Sequence, residues 1–280
     1  MKELNGAEIA GYMKANQAHT VKALRSRKVR PKLVIIRDNN IPVINKYVKL
    51  KQRYGSDIGV EVEDWLRDDV KTAIEEANND PNVHGIIVQL PLKDMSNVDE
   101  IVARITPQKD VDGLASDIHA RDNVENEYSS HDIIFESATA TAINWLLAGY
   151  DINLANSKIA IVGRGRLVGR PLIRMWQNSG YDVTAFGHAS NLSELRNYQV
   201  IVTATGVPHL ITSEMVAPGV TIIDAGTASE GGVLVGDIDD AVRERQDLAA
   251  ITPKIGGVGP LTVTTLFEHV LIAASKTSKV

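Results

Sequence analysis

Lys158 to Pro171 read K-I-A-I-V-G-R-G-R-L-V-G-R-P, and the fold of the chain turns on this stretch. Lys158–Val162 is a short β-rich apolar run; Gly163, Gly165 and Gly169 interrupt it, and a helical pattern follows. Strand, glycine turn, helix is how a dinucleotide pyrophosphate is held. Glycines admit close backbone approach, and a helix N-terminus offers N–H donors and positive dipole. The spacing G-x-G-x-x-x-G is one residue longer than the usual fingerprint, so an ordinary glycine turn in an α/β domain reads the same way.

On both sides of this turn, strand and helix patterns alternate. Before it come a helix over Glu3–Arg25, a strand at Lys32–Ile36 and a helix opened by Pro42 that runs to about Tyr54. A strand at Val60–Trp65, a helix at Val70–Asn78, a strand at Val83–Leu90, a helix at Val98–Ile105 and the loop Pro107–Gly113 follow. Asp117–Ser130 is polar and patternless. Thr139–Leu147 reads as a helix bridging to strands at Lys158–Val162, Asp182–Phe186, Val200–Thr203, Val220–Asp224 and near Ala249–Thr252, and a last helix, Leu261–Ala274, closes the chain. The alternation predicts an α/β protein with parallel sheets and helical crossovers, in two lobes with a cleft between them. The expected lobes are 1–136, completed by a C-terminal helix at 260–280, and a Rossmann-type nucleotide lobe at 137–259.

Composition narrows the class. Of 280 residues, 44% are apolar and 23% charged, as in ordinary globular proteins. A formal net charge of −5 argues against nucleic-acid binding. With no cysteine there is no disulfide, thiolate nucleophile or cysteine-ligated metal. No apolar run approaches the roughly 20 residues that span a bilayer, and M-K-E-L-N-G-A-E lacks a signal-peptide core. A cytoplasmic protein without a membrane partner is expected. The histidines lack metal-ligand spacing, and neither a G-x-S-x-G elbow nor a Walker loop occurs.

The nucleotide is read from the end of the second strand. NAD binders place an acid there for the ribose hydroxyls. Here it reads A-F-G-H-A-S-N, without an acid, while Arg164 lies in the turn and His188 at the strand end. Cations there suit a 2′-phosphate, so the expected cofactor is NADP; two side chains that simply face solvent are the other reading of the same residues.

In the first half, Ile44, Tyr47, Val48, Lys51 and Tyr54 recur at helical spacing and put Lys51 on the inward stripe. An inward lysine needs a partner or a lowered pKa, and a lowered lysine is a usable acid or base. A lysine snorkelling at the helix edge fits the same pattern. Tyr47, one turn earlier, could stack on a flat ring. Gln89 ends the run G-I-I-V-Q-L-P-L and is a candidate partner for Lys51, or an exposed strand-end amide. Asp110 and Asp112 sit on the glycine-ended loop K-D-V-D-G, where most acids are solvated. G-G-V-G-P, at Gly256–Pro260, marks a close backbone approach before the last helix, or a plain turn into it.

Y-V-K-L-K (Tyr47–Lys51), G-I-I-V-Q-L-P-L (Gly85–Leu92), K-D-V-D-G (Lys109–Gly113), V-G-R-G-R-L-V-G-R-P (Val162–Pro171) and G-G-V-G-P-L-T (Gly256–Thr262), in this order, resemble the bifunctional methylenetetrahydrofolate dehydrogenase/methenyltetrahydrofolate cyclohydrolase family. The resemblance implies oxidation of methylene-tetrahydrofolate by NADP to the methenyl form, then ring opening by water to formyl-tetrahydrofolate. It makes the first lobe the catalytic, folate-binding one, Lys51 the catalytic lysine, Gln89 its orienting amide, Tyr47 the residue stacking near the folate and Asp112 the acid on the pterin. It implies cofactor contacts at Gly163, Arg164, Gly165, Arg166, Gly169, His188 and Thr227, a folate wall at Gly257 and Pro260, and a homodimer through the nucleotide lobe. The chain departs from the family pattern at Ile44, Leu114–Ser116, Ser137–Ala142, Ala189 and Ile255. A different two-lobed dehydrogenase resembling shikimate dehydrogenase, and a binding-only paralogue, are the alternatives.

Overall fold

The computed structural model describes residues 1–115, 134–230 and 233–277, with side chains omitted over 228–234. The polar stretch Asp117–Ser130 lies outside the described residues. In chain order the elements are β1 (Lys2–Glu3), α1 (Gly6–Ser26), β2 (Lys32–Arg37), α2 (Pro42–Ile58), β3 (Glu61–Leu66), α3 (Val70–Asn79), β4 (Gly85–Val88) and α4 (Val98–Val102). Then come α5 (Ala138–Gly149), β5 (Lys158–Val162), α6 (Gly169–Asn178), β6 (Asp182–Phe186), β7 (Val200–Thr203) and β8 (Thr221–Asp224). The chain ends with β9 (Ala228–Glu230), β10 (Val233–Val235), α7 (Asp240–Arg243), β11 (Ala250–Ile251) and α8 (Val258–Thr277). Two compact units form: Gly11–Ala138 with Val263–Val280, and Met1–Ala10 with Thr139–Thr262.

The first unit holds a parallel sheet in the order β3-β2-β4. Leu33, Val34, Ile35 and Ile36 of β2 are fully buried, as expected of a central parallel strand covered on both faces. Leu33 and Ile35 pack toward α2 and α8, while Val34 and Ile36 pack toward α3 and α4. Pro42 starts α2 and Gly59, at φ 88°, ends it. Asp69 caps α3 by accepting the Thr72 N–H at 3.1 Å.

The second unit carries six parallel strands in the order β1-β11-β8-β7-β5-β6. Its first strand corrects the helical reading from Glu3. Lys2 and Glu3 pair with Ala250 and Ile251, and Leu4 is fully buried. A two-residue strand is too short to show a period of its own, and its partner lies at the far end of the chain. Residues 1–10 therefore belong to this unit and not to a 1–136 lobe, and the other crossings fall at 138/139 and 262/263.

Helix α8 also departs from expectation. Its 20 residues are long and apolar enough, by length and composition, to cross a membrane. Leu266, Phe267, Val270, Leu271 and Ala274 instead join Leu33, Ile35 and Ile44 in the core of the first unit. The helix is apolar because it is interior.

Candidate active site

Helix α2 buries Ile44, Val48, Gly55 and Ile58, leaves Lys46, Lys49 and Arg53 in solvent, and sets Lys51 at the boundary. The Lys51 Nζ donates to Gln89 Oε1 at 2.8 Å. Gln89 follows β4, is held by its own N–H to the Ile36 carbonyl at 2.8 Å, and donates through Nε2 to the Leu90 carbonyl at 3.1 Å. The next peptide, Leu90–Pro91, is cis. Burial lowers the Lys51 pKa below the ordinary lysine value, and the Asp112 charge opposes that shift. Burial raises Asp112 in turn, and Lys51 opposes that shift. The structure thus brings Lys51, Gln89 and Asp112 together, with Tyr47 one turn before Lys51, half-buried, its hydroxyl pKa raised by burial.

The loop that presents Asp112 is fastened by Asp110, which as a lone loop acid carried no such signal. Asp110 is buried, and its two oxygens accept the N–H groups of Leu114 at 3.1 Å and Ala115 at 2.9 Å. Burial pushes this carboxyl up to about 7. Gly113 sits at φ 64°, and a Cβ there would lie 2.5 Å from the backbone of Glu136 and Ser137. The departures at Leu114 and Ala115 are packed at 4% and 0% exposure, and Ile44, Ala138, Ala140 and Ala142 are fully buried. By contrast, Ile255 is 81% exposed and Ala189 lies at the surface.

In the second unit, β5 ends at Val162 and the chain turns sharply at Gly163, with φ 107°. A Cβ on Gly163 would lie 2.5 Å from the Ala204 carbonyl oxygen, and one on Gly169 would lie 2.1 Å from that of Gly163. A Cβ on Gly165 would lie 4.0 Å from the Ala204 carbonyl oxygen, an ordinary contact, so this glycine is under no such crowding. The Val168 cap offers no side-chain acceptor to the first turn of α6, as suits a site where an anion takes that place. This tight, glycine-lined strand-to-helix turn fits a dinucleotide pyrophosphate. The Arg164 guanidinium donates to the Ala185 carbonyl at 2.9 Å and so lies along the end of β6, where no acid stands and where His188 is exposed. Arg166 is half-buried, and Thr227 is exposed beyond β8. Gly257 and Pro260 fall in this same unit. Pro260 lies in the first turn of α8, and the turn before it packs on the start of α1: Ala7 N–H donates to the Gly256 carbonyl at 2.9 Å, and a Cβ on Gly6 would lie 2.0 Å from the Gly257 oxygen.

A set of charged side chains near the ends of β7 and β8 escaped the sequence reading. Arg243 pairs with Asp224 and donates to the Thr252 carbonyl at 2.8 Å, while Asp237 accepts the Thr205 N–H at 2.7 Å. These partners come from separate strands and loops, so no local spacing announces them. Among the described residues there is no His/Asp/Glu cluster fit for a metal.

Two family models match the chain: the tetrahydrofolate dehydrogenase/cyclohydrolase catalytic domain over residues 4–112 and its NAD(P)-binding domain over 137–278. A bifunctional protein FolD of Lactobacillus acidophilus is 36% identical over 96% of both chains. The crystal structure of the bifunctional FolD of Campylobacter jejuni superposes with TM-score 0.89, at 30% identity, covering 99% of each chain. The Trypanosoma brucei enzyme, solved with NADP and an inhibitor, superposes with TM-score 0.86 at 26% identity, covering 99% of this chain and 98% of its own.

Proposed function

Because the chain belongs to the tetrahydrofolate dehydrogenase/cyclohydrolase family, we propose how its own residues divide the family's two reactions. The enzyme oxidises methylene-tetrahydrofolate to the methenyl form and hydrolyses that to formyl-tetrahydrofolate. NADP, bound at the Gly163–Gly169 turn, supplies the hydride acceptor. The chain's work in the first step is alignment, so the rigidity of that turn matters more than any acid or base.

The second step needs a proton carrier. A charged ammonium cannot take a proton from the attacking water, whereas burial favours the neutral amine of Lys51. That amine accepts a proton as water adds to the methenyl carbon and returns one to the departing ring nitrogen. Gln89 aims the amine without adding charge, Asp112 holds the pterin by hydrogen bonds, and Tyr47 covers the ring system. Gly257 and Pro260 are assigned to folate binding by the family resemblance alone. Arg164, with His188, Arg166 and Thr227, holds the adenosine and phosphate end of the cofactor. The observation that supports this reading best is the Lys51–Gln89 bond beside the Asp112 carboxyl.

Two rival readings lose their motive. Family membership across the whole chain removes the shikimate-dehydrogenase-like enzyme. The departures at Ala138 and Leu114, the features that would favour a binding-only paralogue, are buried packing residues, and Lys51 still meets Gln89 and the Asp112 charge. We place the enzyme in the cytoplasm, feeding one-carbon units to purine synthesis, as a homodimer; the sheet edge at β6, unpaired among the described residues, supports pairing through the nucleotide unit.

The test follows NADPH and the methenyl intermediate together in one spectrophotometric assay. Lys51→Ala should abolish ring opening while NADP binding survives. Ring opening at the wild-type rate in this variant rejects the assignment.

A further inference from the structure

The loop carrying Asp112 is held from the far end of the chain. His269, on α8, is 6% exposed, and its ring stacks on Phe135 with centroids 4.6 Å apart at 23°. Its Nδ1 lies 2.8 Å from the Val111 carbonyl oxygen. A carbonyl can only accept, so Nδ1 carries the proton and Nε2 is bare. Burial pushes the ring down to about 4, which keeps it neutral at physiological pH, and the bond to the Val111 carbonyl selects that tautomer.

This bond falls on one side of the Asp112 Cα. On the other side, the Asp112 carbonyl accepts the Ala138 N–H at 3.0 Å. The two peptide planes that set the direction of the Asp112 side chain are therefore each pinned from outside the loop. Packing brings α8 there: Gly85 leaves space that a Cβ would take, 2.9 Å from both Val111 and Val270. A core histidine that merely satisfied itself could have bonded any nearby carbonyl. This one takes the carbonyl adjoining the acid.

We propose that His269 is a positioning residue for Asp112, fixing the Val111–Asp112 peptide so that the carboxyl faces the folate. The inference rests on the reading of Asp112 as the substrate-binding acid.

Four variants separate the two ideas. His269→Phe keeps a ring on Phe135 and removes the donor. His269→Asn puts an amide N–H where Nδ1 stood. Asp112→Asn tests the acid, and Asp112→Asn/His269→Phe tests coupling. H269F should raise KM for methylene-tetrahydrofolate about tenfold, the scale of one lost hydrogen bond, with KM for NADP unchanged. H269N should recover most of that loss, and the double variant should be no worse than D112N, because the two act through one contact. If D112N leaves the folate KM unchanged, the reading of Asp112 fails. If D112N raises it while H269F does not, or if H269N is as impaired as H269F, the role of His269 fails. Should H269F not fold, nitrogen NMR of the wild-type enzyme decides: a proton on Nδ1 supports the role, and a proton on Nε2 with bare Nδ1 overturns it.

Discussion

Lys51 Nζ donates to an amide oxygen, that of Gln89, at 2.8 Å, and not to a carboxylate. A neutral acceptor orients the amine without holding its charge. Burial then dominates, and the amine sits below the ordinary lysine pKa of 10.5. Gln89→Glu should reverse this balance. An anion at the same place raises the Lys51 pKa, so the ascending limb of the cyclohydrolase pH profile should move to higher pH. The rate at neutral pH should fall about tenfold for every pH unit that the limb moves. A limb that stays in place excludes Gln89 as the tuning partner.

Asp112 acts on the same amine in the opposite sense to burial. Its negative charge raises the Lys51 pKa, so removing it in Asp112→Asn should lower that pKa further. The cyclohydrolase limb should then shift to lower pH even as folate binding weakens. Measuring kcat/KM for methenyl hydrolysis against pH resolves the two effects. A limb that stays in place would mean that the Asp112 charge does not reach the amine.

Gly163→Ala places a methyl group 2.5 Å from the Ala204 oxygen in a backbone conformation, φ 107°, that side chains avoid. NADP affinity should fall by at least tenfold, with strain of about 1–3 kcal/mol in the turn. Ring opening of supplied methenyl-tetrahydrofolate should persist, since Lys51 and Gln89 belong to the other unit. Titration by NADPH fluorescence, with the hydrolysis assay in parallel, checks both arms.

Arg164 lies along the strand end where an NAD enzyme keeps an acid. Arg164→Ala should weaken NADP binding about tenfold, the order of one charge-assisted contact to phosphate, and leave NAD binding nearly unchanged. Equal losses for both cofactors, read by calorimetry, would place the arginine on the pyrophosphate instead.

His84 offers a pH test of the fold. It is 5% exposed, its Nδ1 accepts the Lys32 N–H at 3.2 Å, and burial together with the Lys109 charge lowers it to about 4. The unfolded chain takes up a proton near the ordinary value of 6.5, the folded one only near 4. The stability this residue confers is therefore full above pH 6.5 and is lost as pH falls toward 4. His84→Asn keeps an acceptor at the same place but cannot titrate. Wild type should lose about 2 kcal/mol relative to the variant between pH 7 and 5, measured by urea unfolding. Asp110, whose raised pKa works in the other direction, is common to both proteins and cancels in the difference. A constant difference across that range would contradict a buried, neutral His84.

The sequence by itself determines the features that depend on neighbours within a turn or two. The strand–glycine–helix unit at Lys158–Pro171 is one, because both the apolar run and its interruptions are local. The place of Lys51 on the helix stripe shared with Ile44 and Val48 is another, because helical period alone sets it; whether its amine points inward or snorkels is not local. Tertiary structure decides what those residues meet. Gln89 is 38 residues from Lys51 in the chain, and His269 is 158 residues from Val111. β1 is a strand only because β11 lies beside it, and Asp110 is a loop anchor and not a solvated acid only because burial removes water from it. Propensity and period report on the backbone near a residue; desolvation and pairing report on whatever the fold brings to it from elsewhere.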